Sequence, residues 1–262
     1  MLSVEKLQVT FFPGTVNERR ALQGVDLSLA EGDVVTIVGS NGAGKSTLLN
    51  VVAGPLRADA GRLLIQGRDI TRLSEHQTAQ MVGRVFQDPR AGTAPHMTIE
   101  ENLAIALARG SRRGLRQAVT RAKRQLFRTE LLQLEQGLES RLKDWVGLLS
   151  GGQRQALSLL MATLQQPKVL LLDEHTAALD PQRAELVTRL TRDLVARHRL
   201  TTLMVTHNME QALALGNRLI MMHQGRIVLS LDEEAKQRMT VPGLLTAFER
   251  LKLDIDDRTL LS

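Results

Sequence analysis

The 262-residue chain has no cysteine and no tyrosine, and only 2% of it is aromatic. Without cysteine there is no disulfide framework and no thiolate metal site, a composition that suits a reducing compartment. Long apolar runs are missing as well. No stretch approaches the roughly 20 apolar residues that span a bilayer. Residues 1–10 carry Glu5 and Lys6 where a signal peptide would carry an apolar core. If the chain serves a membrane, it is expected to do so from the surface. Internal repeats and low-complexity tracts are absent. What remains is 43% hydrophobic and 24% charged, ordinary for a globular protein. The length fits one large domain, or one domain with a subdomain. The net charge of +6 is a weak pull toward phosphate-rich partners or an anionic leaflet.

Residues 2–10 and 22–29 approximate strand alternation, with Pro13, Gly14 and Asn17 between them. The β-branched run 34–38 reads as a strand buried on both faces. A glycine-rich turn and a helix over 45–52 follow. From Ile99 to about Gln166 the pattern is helical, and Leu157, Leu160, Met161 and Leu164 mark one stripe of a helix that Pro167 stops. Strand signals return at 169–172, 202–206, 219–222 and 226–229, with a helix over 183–197 between the first two. Alternating strands and helices predict an α/β fold with a mostly parallel sheet and an inserted helical middle. The tail beyond Ser230 reads as helix of mixed charge.

Gly39-Ser40-Asn41-Gly42-Ala43-Gly44-Lys45-Ser46-Thr47 fits G-x-x-x-x-G-K-[ST] and lies between a buried strand and a helix. Glycines let the backbone curl so that successive N–H groups face phosphate oxygens, and the helix N-terminus adds its positive end. Lys45 supplies a point charge between β- and γ-phosphates, and the Ser46 hydroxyl a Mg²⁺ ligand. Val169-Leu170-Leu171-Leu172-Asp173-Glu174 is a buried strand ending in two acids. Asp173 is placed to hold Mg²⁺ and Glu174 to reach the attacking water. Leu149-Ser150-Gly151-Gly152-Gln153 opens another helix with small residues and a hydroxyl. It reads either as an ordinary N-cap or as a second phosphate-binding end that serves another chain's nucleotide. His207 ends the strand over 202–206.

In this order, the P-loop, Gln87, the Leu-Ser-Gly-Gly-Gln turn, the Asp173-Glu174 strand end, Ala178-Leu179-Asp180 and His207 resemble the ABC ATPase family over about residues 1–230. The resemblance implies a P-loop NTPase core with an N-terminal antiparallel β subdomain and an inserted α-helical subdomain. Residues 1–87 and 166–230 would form the core, 88–165 the helical insertion and 231–262 a tail. It implies that Gln87 senses Mg²⁺ and the attacking water, that Glu174 is the general base and His207 the switch histidine, and that Asp180 lies at a dimer seam. Phe11 stands where the family stacks an aromatic, usually tyrosine, on adenine, with Phe12 a rival. His175 departs from the proline or alanine usual there and reads as a packed surface residue, or as an extra donor near the site.

The implied function is ATP binding and hydrolysis by a head-to-tail dimer of this chain, or of this chain with a homologous ATPase subunit. That dimer would drive two separate transmembrane permease subunits from the cytoplasmic face of the membrane. Separate subunits suggest an importer, with a solute-binding protein and a small organic solute as cargo. The rival is a soluble ABC protein acting on nucleic acid or ribosomes. One cassette, no coiled-coil insertion and no zinc-binding cysteines argue against it, and no nucleic-acid partner is expected. A regulatory module without turnover is opposed by the intact Glu174 and His207. Finally, Arg109, Arg112, Arg113, Arg116, Arg121, Lys123, Arg124 and Arg128 form a basic stretch without an intervening acid. It reads as a solvated helix face, or as a contact for lipid headgroups or nucleic acid.

Overall fold

The computed structural model describes residues 1–110 and 117–260. They form two compact units: Met1–Leu73 with Thr201–Ser262, and Ser74–Leu200. Arg112, Arg113 and Arg116 lie outside the described residues.

The first unit begins with strands β1 (Leu2–Phe11) and β2 (Arg19–Leu29). They pair antiparallel, with Leu2 opposite Leu29 and Val9 opposite Leu22. Leu2, Val4, Leu7 and Val9 are buried, so alternation gives this sheet one apolar face. Next come β3 (Val34–Gly39), helix α1 (Lys45–Ala53), β4 (Ala60–Ile65) and β5 (Arg68–Asp69). The antiparallel sheet runs in the order β2-β1-β4-β5. The β4 strand was not foreseen in the sequence.

The second unit holds α2 (Glu75–Thr78), β6 (Val82–Val85), α3 (Ile99–Leu107), α4 (Arg121–Leu132), α5 (Gly151–Thr163), β7 (Val169–Asp173) and α6 (Pro181–His198). Strands β6 and β7 run parallel, with Val82 opposite Val169 and Val85 opposite Leu172. The α3 helix opens on a capping box in which the Thr98 N–H donates to Glu101 Oε2 at 2.7 Å. Burial on α5 goes well beyond the single stripe read from sequence. Gln155, Ala156, Leu157, Ser158, Leu159 and Leu160 are all buried, whereas Met161 and Leu164 are only half-buried. The helix is enclosed on several sides, so small and polar residues share its burial.

The basic stretch is not one solvated face. Burial holds Arg109 below the usual arginine range, and its guanidinium donates to the Ala162 carbonyl at 3.0 Å. Arg124 makes a two-pronged ion pair with Glu100 at 2.7 and 3.0 Å.

The chain then returns to the first unit as β8 (Thr201–Val205), α7 (Met209–Ala214), β9 (Arg218–His223), β10 (Arg226–Leu231), α8 (Glu233–Arg238) and α9 (Val241–Leu260). Strands β8 and β9 flank β3 in parallel, and β10 turns back antiparallel on β9. Val35, Ile37, Leu203, Val205, Ile220 and Met222 are fully buried. Each such side chain contributes about 1.5–3 kcal/mol of burial free energy. The tail joins this core, because Leu244 of α9 packs with Val38, Leu219 and Met221. Among the described residues no helix is long and apolar enough to cross a membrane.

Lys236 of α8 is buried and donates to the carbonyls of Leu215 and Gly216 just past α7. Burial lowers its pKa from 10.5 to about 8. Between those values the unfolded chain holds the proton more tightly than the folded one, so stability rises with pH across this window. The chain has no cysteine or tyrosine to titrate there. Thermal melts from pH 8 to 10.5 are therefore expected to climb in the wild type and flatten in Lys236→Met. Parallel slopes would remove Lys236 as the cause.

Candidate functional site

The loop from Gly39 to Lys45, Gln87, the pair Asp173 and Glu174, and His207 fall at the carboxyl ends of parallel strands, each within its own unit, where α/β folds place their ligand-binding loops. In the first unit, β3 delivers the loop from Gly39 to Lys45 and β8 delivers His207. Ile37 pairs with Val205 in parallel register, and the Thr206 N–H donates to Ile37 O at 3.2 Å. Both segments therefore leave the same edge of this sheet.

Two glycines make the loop possible. Gly39 has φ +153°, and a Cβ there would stand 2.2 Å from the Met222 carbonyl oxygen. Gly44 has φ +102°, and its Cβ would stand 2.5 Å from the Ala21 carbonyl oxygen. Neither position admits a side chain. Gly44 is also the N-cap of α1 and brings no side-chain acceptor to the first turn, which carries no acidic residue. That turn presents N–H groups and a positive dipole end suited to an external anion. Lys45 is 6% exposed and folds back over the loop, donating from Nζ to Gly39 O at 2.8 Å and Ser40 O at 3.1 Å. Arg19 braces the loop from outside by donating to Gly42 O at 3.0 Å. Asn41 and Ser46 are exposed, Ala43 is buried and Thr47 is half-buried.

The same unit holds both phenylalanines. Phe11 closes β1 and is half-buried, while Phe12 has φ +53° and is 67% exposed, with ring centroids 6.5 Å apart. His207 is exposed on the turn before α7, whose N-cap Asn208 accepts from the Gln211 N–H.

In the second unit, Gln87 and the pair Asp173 and Glu174 leave neighbouring strand ends, since Val85 pairs with Leu172. Glu174 holds φ +43°, a left-handed backbone uncommon outside glycine. Its carbonyl accepts from Ala177 N–H at 2.9 Å, closing a turn that leads to Asp180. Asp180 is the N-cap of α6 and accepts from the Arg183 N–H, with Pro181 in the first turn. Ser150 caps α5 in a reciprocal box with Gln153, so the ordinary N-cap arrangement is present. Gly151 is exposed, whereas a Cβ on Gly152 would stand 2.9 Å from the Arg183 side chain. The Ser150 turn and the start of α6 are thus neighbours.

His175 is not a surface residue. It is 2% exposed, and its Nε2 lies 2.9 Å from Thr191 Oγ1. Thr191 donates its own proton to Val187 O at 2.8 Å, so the imidazole is the donor in this pair. Burial pushes the histidine down to about pKa 4, which keeps it neutral. The ring fastens the chain just after Glu174 to α6.

Two residues escaped the sequence reading. Gln155 is fully buried and donates to the Phe86 carbonyl at 3.1 Å, tying the helix behind Ser150 to the segment before Gln87. Arg84 pairs with Asp173 Oδ2 at 2.9 Å. The signal for Arg84 was a lone cation inside the apolar run Val82-Gly83-Arg84-Val85-Phe86, which needs a partner if it is a strand.

Comparison with known proteins bears on the same segments. The ABC transporter family model matches residues 22–177. A tyrosine transport ATP-binding protein of Clostridioides difficile (strain R20291) is 42% identical over 254 residues, covering 95% of this chain and 99% of the relative. An aliphatic sulfonates import ATP-binding protein, SsuB 2, of Agrobacterium fabrum (strain C58 / ATCC 33970) is 36% identical, covering 91% and 83%. Among solved structures, the dimeric post-hydrolysis state of the ATP-binding cassette MJ0796 bound to ADP and Pi aligns with a TM-score of 0.76 at 26% identity. That alignment covers 89% of this chain and 99% of the cassette.

Proposed function

Because this chain belongs to the ABC transporter family, as an ATP-binding and ATP-hydrolysing subunit that powers transport, we propose that its chemistry is carried by the residues at the carboxyl ends of β3, β6, β7 and β8. The observation that carries this reading is the loop after β3, where Gly39 and Gly44 occupy positions closed to any side chain and Lys45 folds over the turn. The loop N–H groups from Gly39 to Thr47 bind the triphosphate, and Lys45 stabilises the β- and γ-phosphates. Adenine stacks on an aromatic at the end of β1. Phe11 takes that role in this reading, with the more exposed Phe12 its rival.

The donor set fits Mg²⁺. Ser46 of the first unit, and Gln87 and Asp173 of the second, each offer only hard oxygen ligands. When bound, Mg²⁺ neutralises charge on the phosphate oxygens. Glu174 takes a proton from the attacking water, Gln87 orients that water and His207 donates toward the γ-phosphate. Residues 88–165 are the helical insertion and 231–262 a tail, whose Leu244 packs on the core.

The Ser150-Gly151-Gly152-Gln153 turn and Asp180 act on the nucleotide of a second copy. Gly151 is exposed, and the capping box occupies the Ser150 oxygen as acceptor while leaving its O–H free to donate. The dimer works with transmembrane permease subunits on the cytoplasmic face of the membrane. We infer import of a small organic solute delivered by a binding protein. An aromatic amino acid is the first candidate, on the strength of the tyrosine transport relative.

Ser150→Arg tests the second-copy role. ATP binding to the isolated chain is expected to stay within about threefold of wild type, because the phosphate contacts of the loop are untouched, while turnover falls at least about a hundredfold. Turnover at the wild-type rate would remove the Ser150 turn from the mechanism.

A further inference from the structure

The acidic end of β7 is already partnered. Arg84 and Asp173 are each 14% exposed at the side chain, and their closest approach is 2.9 Å. Strand register explains the meeting. Arg84 pairs with Leu171 in the parallel ladder, so Arg84, Phe86 and Asp173 project from one face of the β6–β7 pair. The guanidinium carbon lies 4.7 Å from the Phe86 ring centroid, within cation–π range. A ring and a carboxylate thus both hold the arginine on a buried strand. A guanidinium carries its charge permanently and matches a carboxylate geometrically.

We propose that Arg84 is a positioning residue for Asp173, serving as its counter-charge when no metal is bound and competing with the metal for it. The inference rests on the reading of Asp173 as a Mg²⁺ ligand. An unpaired, mostly buried carboxylate is costly, and removal of one partner strands the other. Arg84 relieves that cost and fixes the carboxylate before a cation arrives. It also sets a positive charge beside the position a divalent cation needs, which weakens metal affinity. The pair makes Asp173 tolerant of the metal-free state on both sides of a turnover, at the expense of tight metal binding.

The test is the metal dependence of nucleotide binding, read with a fluorescent non-hydrolysable ATP analogue titrated across Mg²⁺ concentrations and in EDTA. In Arg84→Met the Mg²⁺ needed for half-maximal binding is expected to fall about three- to tenfold, and metal-free binding to weaken about threefold, the scale of one partly screened charge. Arg84→Lys keeps the charge and is expected to stay within about twofold of wild type. Arg84→Gln removes the charge with less loss of polar contact, and serves as the neutral variant if methionine does not fold. A purely structural ion pair would lower melting temperature without moving the metal profile. A folded neutral variant whose Mg²⁺ curve overlays that of wild type overturns the proposal. Asp173→Asn separates the two layers. If it leaves the metal profile unchanged, the metal role of Asp173 fails and the proposal falls with it. If it shifts the profile while the neutral Arg84 variants do not, only the role of Arg84 fails.

Discussion

Lys45→Ala is expected to lower ATP affinity by about a hundredfold or more, beyond the reach of most binding assays. Two effects combine. The ammonium is the point charge that the loop offers to the triphosphate, and a charge-assisted contact in a partly dry site is stronger than a neutral one. The same ammonium also donates to Gly39 O and Ser40 O, so it holds the curl of the loop. Its removal therefore weakens both the charge and the arrangement of N–H groups that accompanies it. Arginine is no substitute, since a planar fork cannot place one charge where the ammonium sits. Calorimetric titration with ATP checks the result. Affinity within threefold of wild type would contradict the role given to the loop.

Glu174→Gln is expected to reduce kcat by about 10²–10⁴-fold, the usual contribution of a general base, with ATP affinity changed by only a few-fold. The comparison is clean because glutamine keeps the side-chain shape and the same backbone demand. Position 174 sits at φ +43°, a left-handed strain that glutamine bears as glutamate does. The turn from Glu174 to Asp180 is clasped by the Ala177 N–H to Glu174 O bond and by His175 on Thr191. Single-turnover measurements separate slow chemistry from slow release. A kcat within fivefold of wild type would exclude Glu174 as the base.

The sequence spoke clearly where burial is two-sided. The runs ending at Gly39 and at Asp173 are apolar and β-branched or leucine-rich, and they became β3 and β7 with the expected loops behind them. The parallel α/β character followed from their alternation with helices. Strand β6 stayed hidden because Gly83 and Arg84 interrupt its apolar run, and Arg84 makes sense only once Asp173 is opposite. Helix α5 showed one stripe in sequence, yet Gln155 and Ser158 are buried too. A three-dimensional neighbour, the Phe86 carbonyl, accepts from the Nε2 of the former. His175 reads as surface by composition and is buried because Thr191 receives its proton. Each of these rests on a partner far away in the chain, which periodicity does not report.

In the proposed mechanism one ATP is gripped by two copies of the chain, the loop of one and the Ser150 turn of the other. The most direct test is the solution mass of Glu174→Gln with saturating ATP and Mg²⁺, alone and combined with Ser150→Arg. Twice the monomer mass is expected with ATP, monomer without it, and monomer in the double variant under both conditions. A Glu174→Gln protein that binds ATP fully and stays at monomer mass would contradict it.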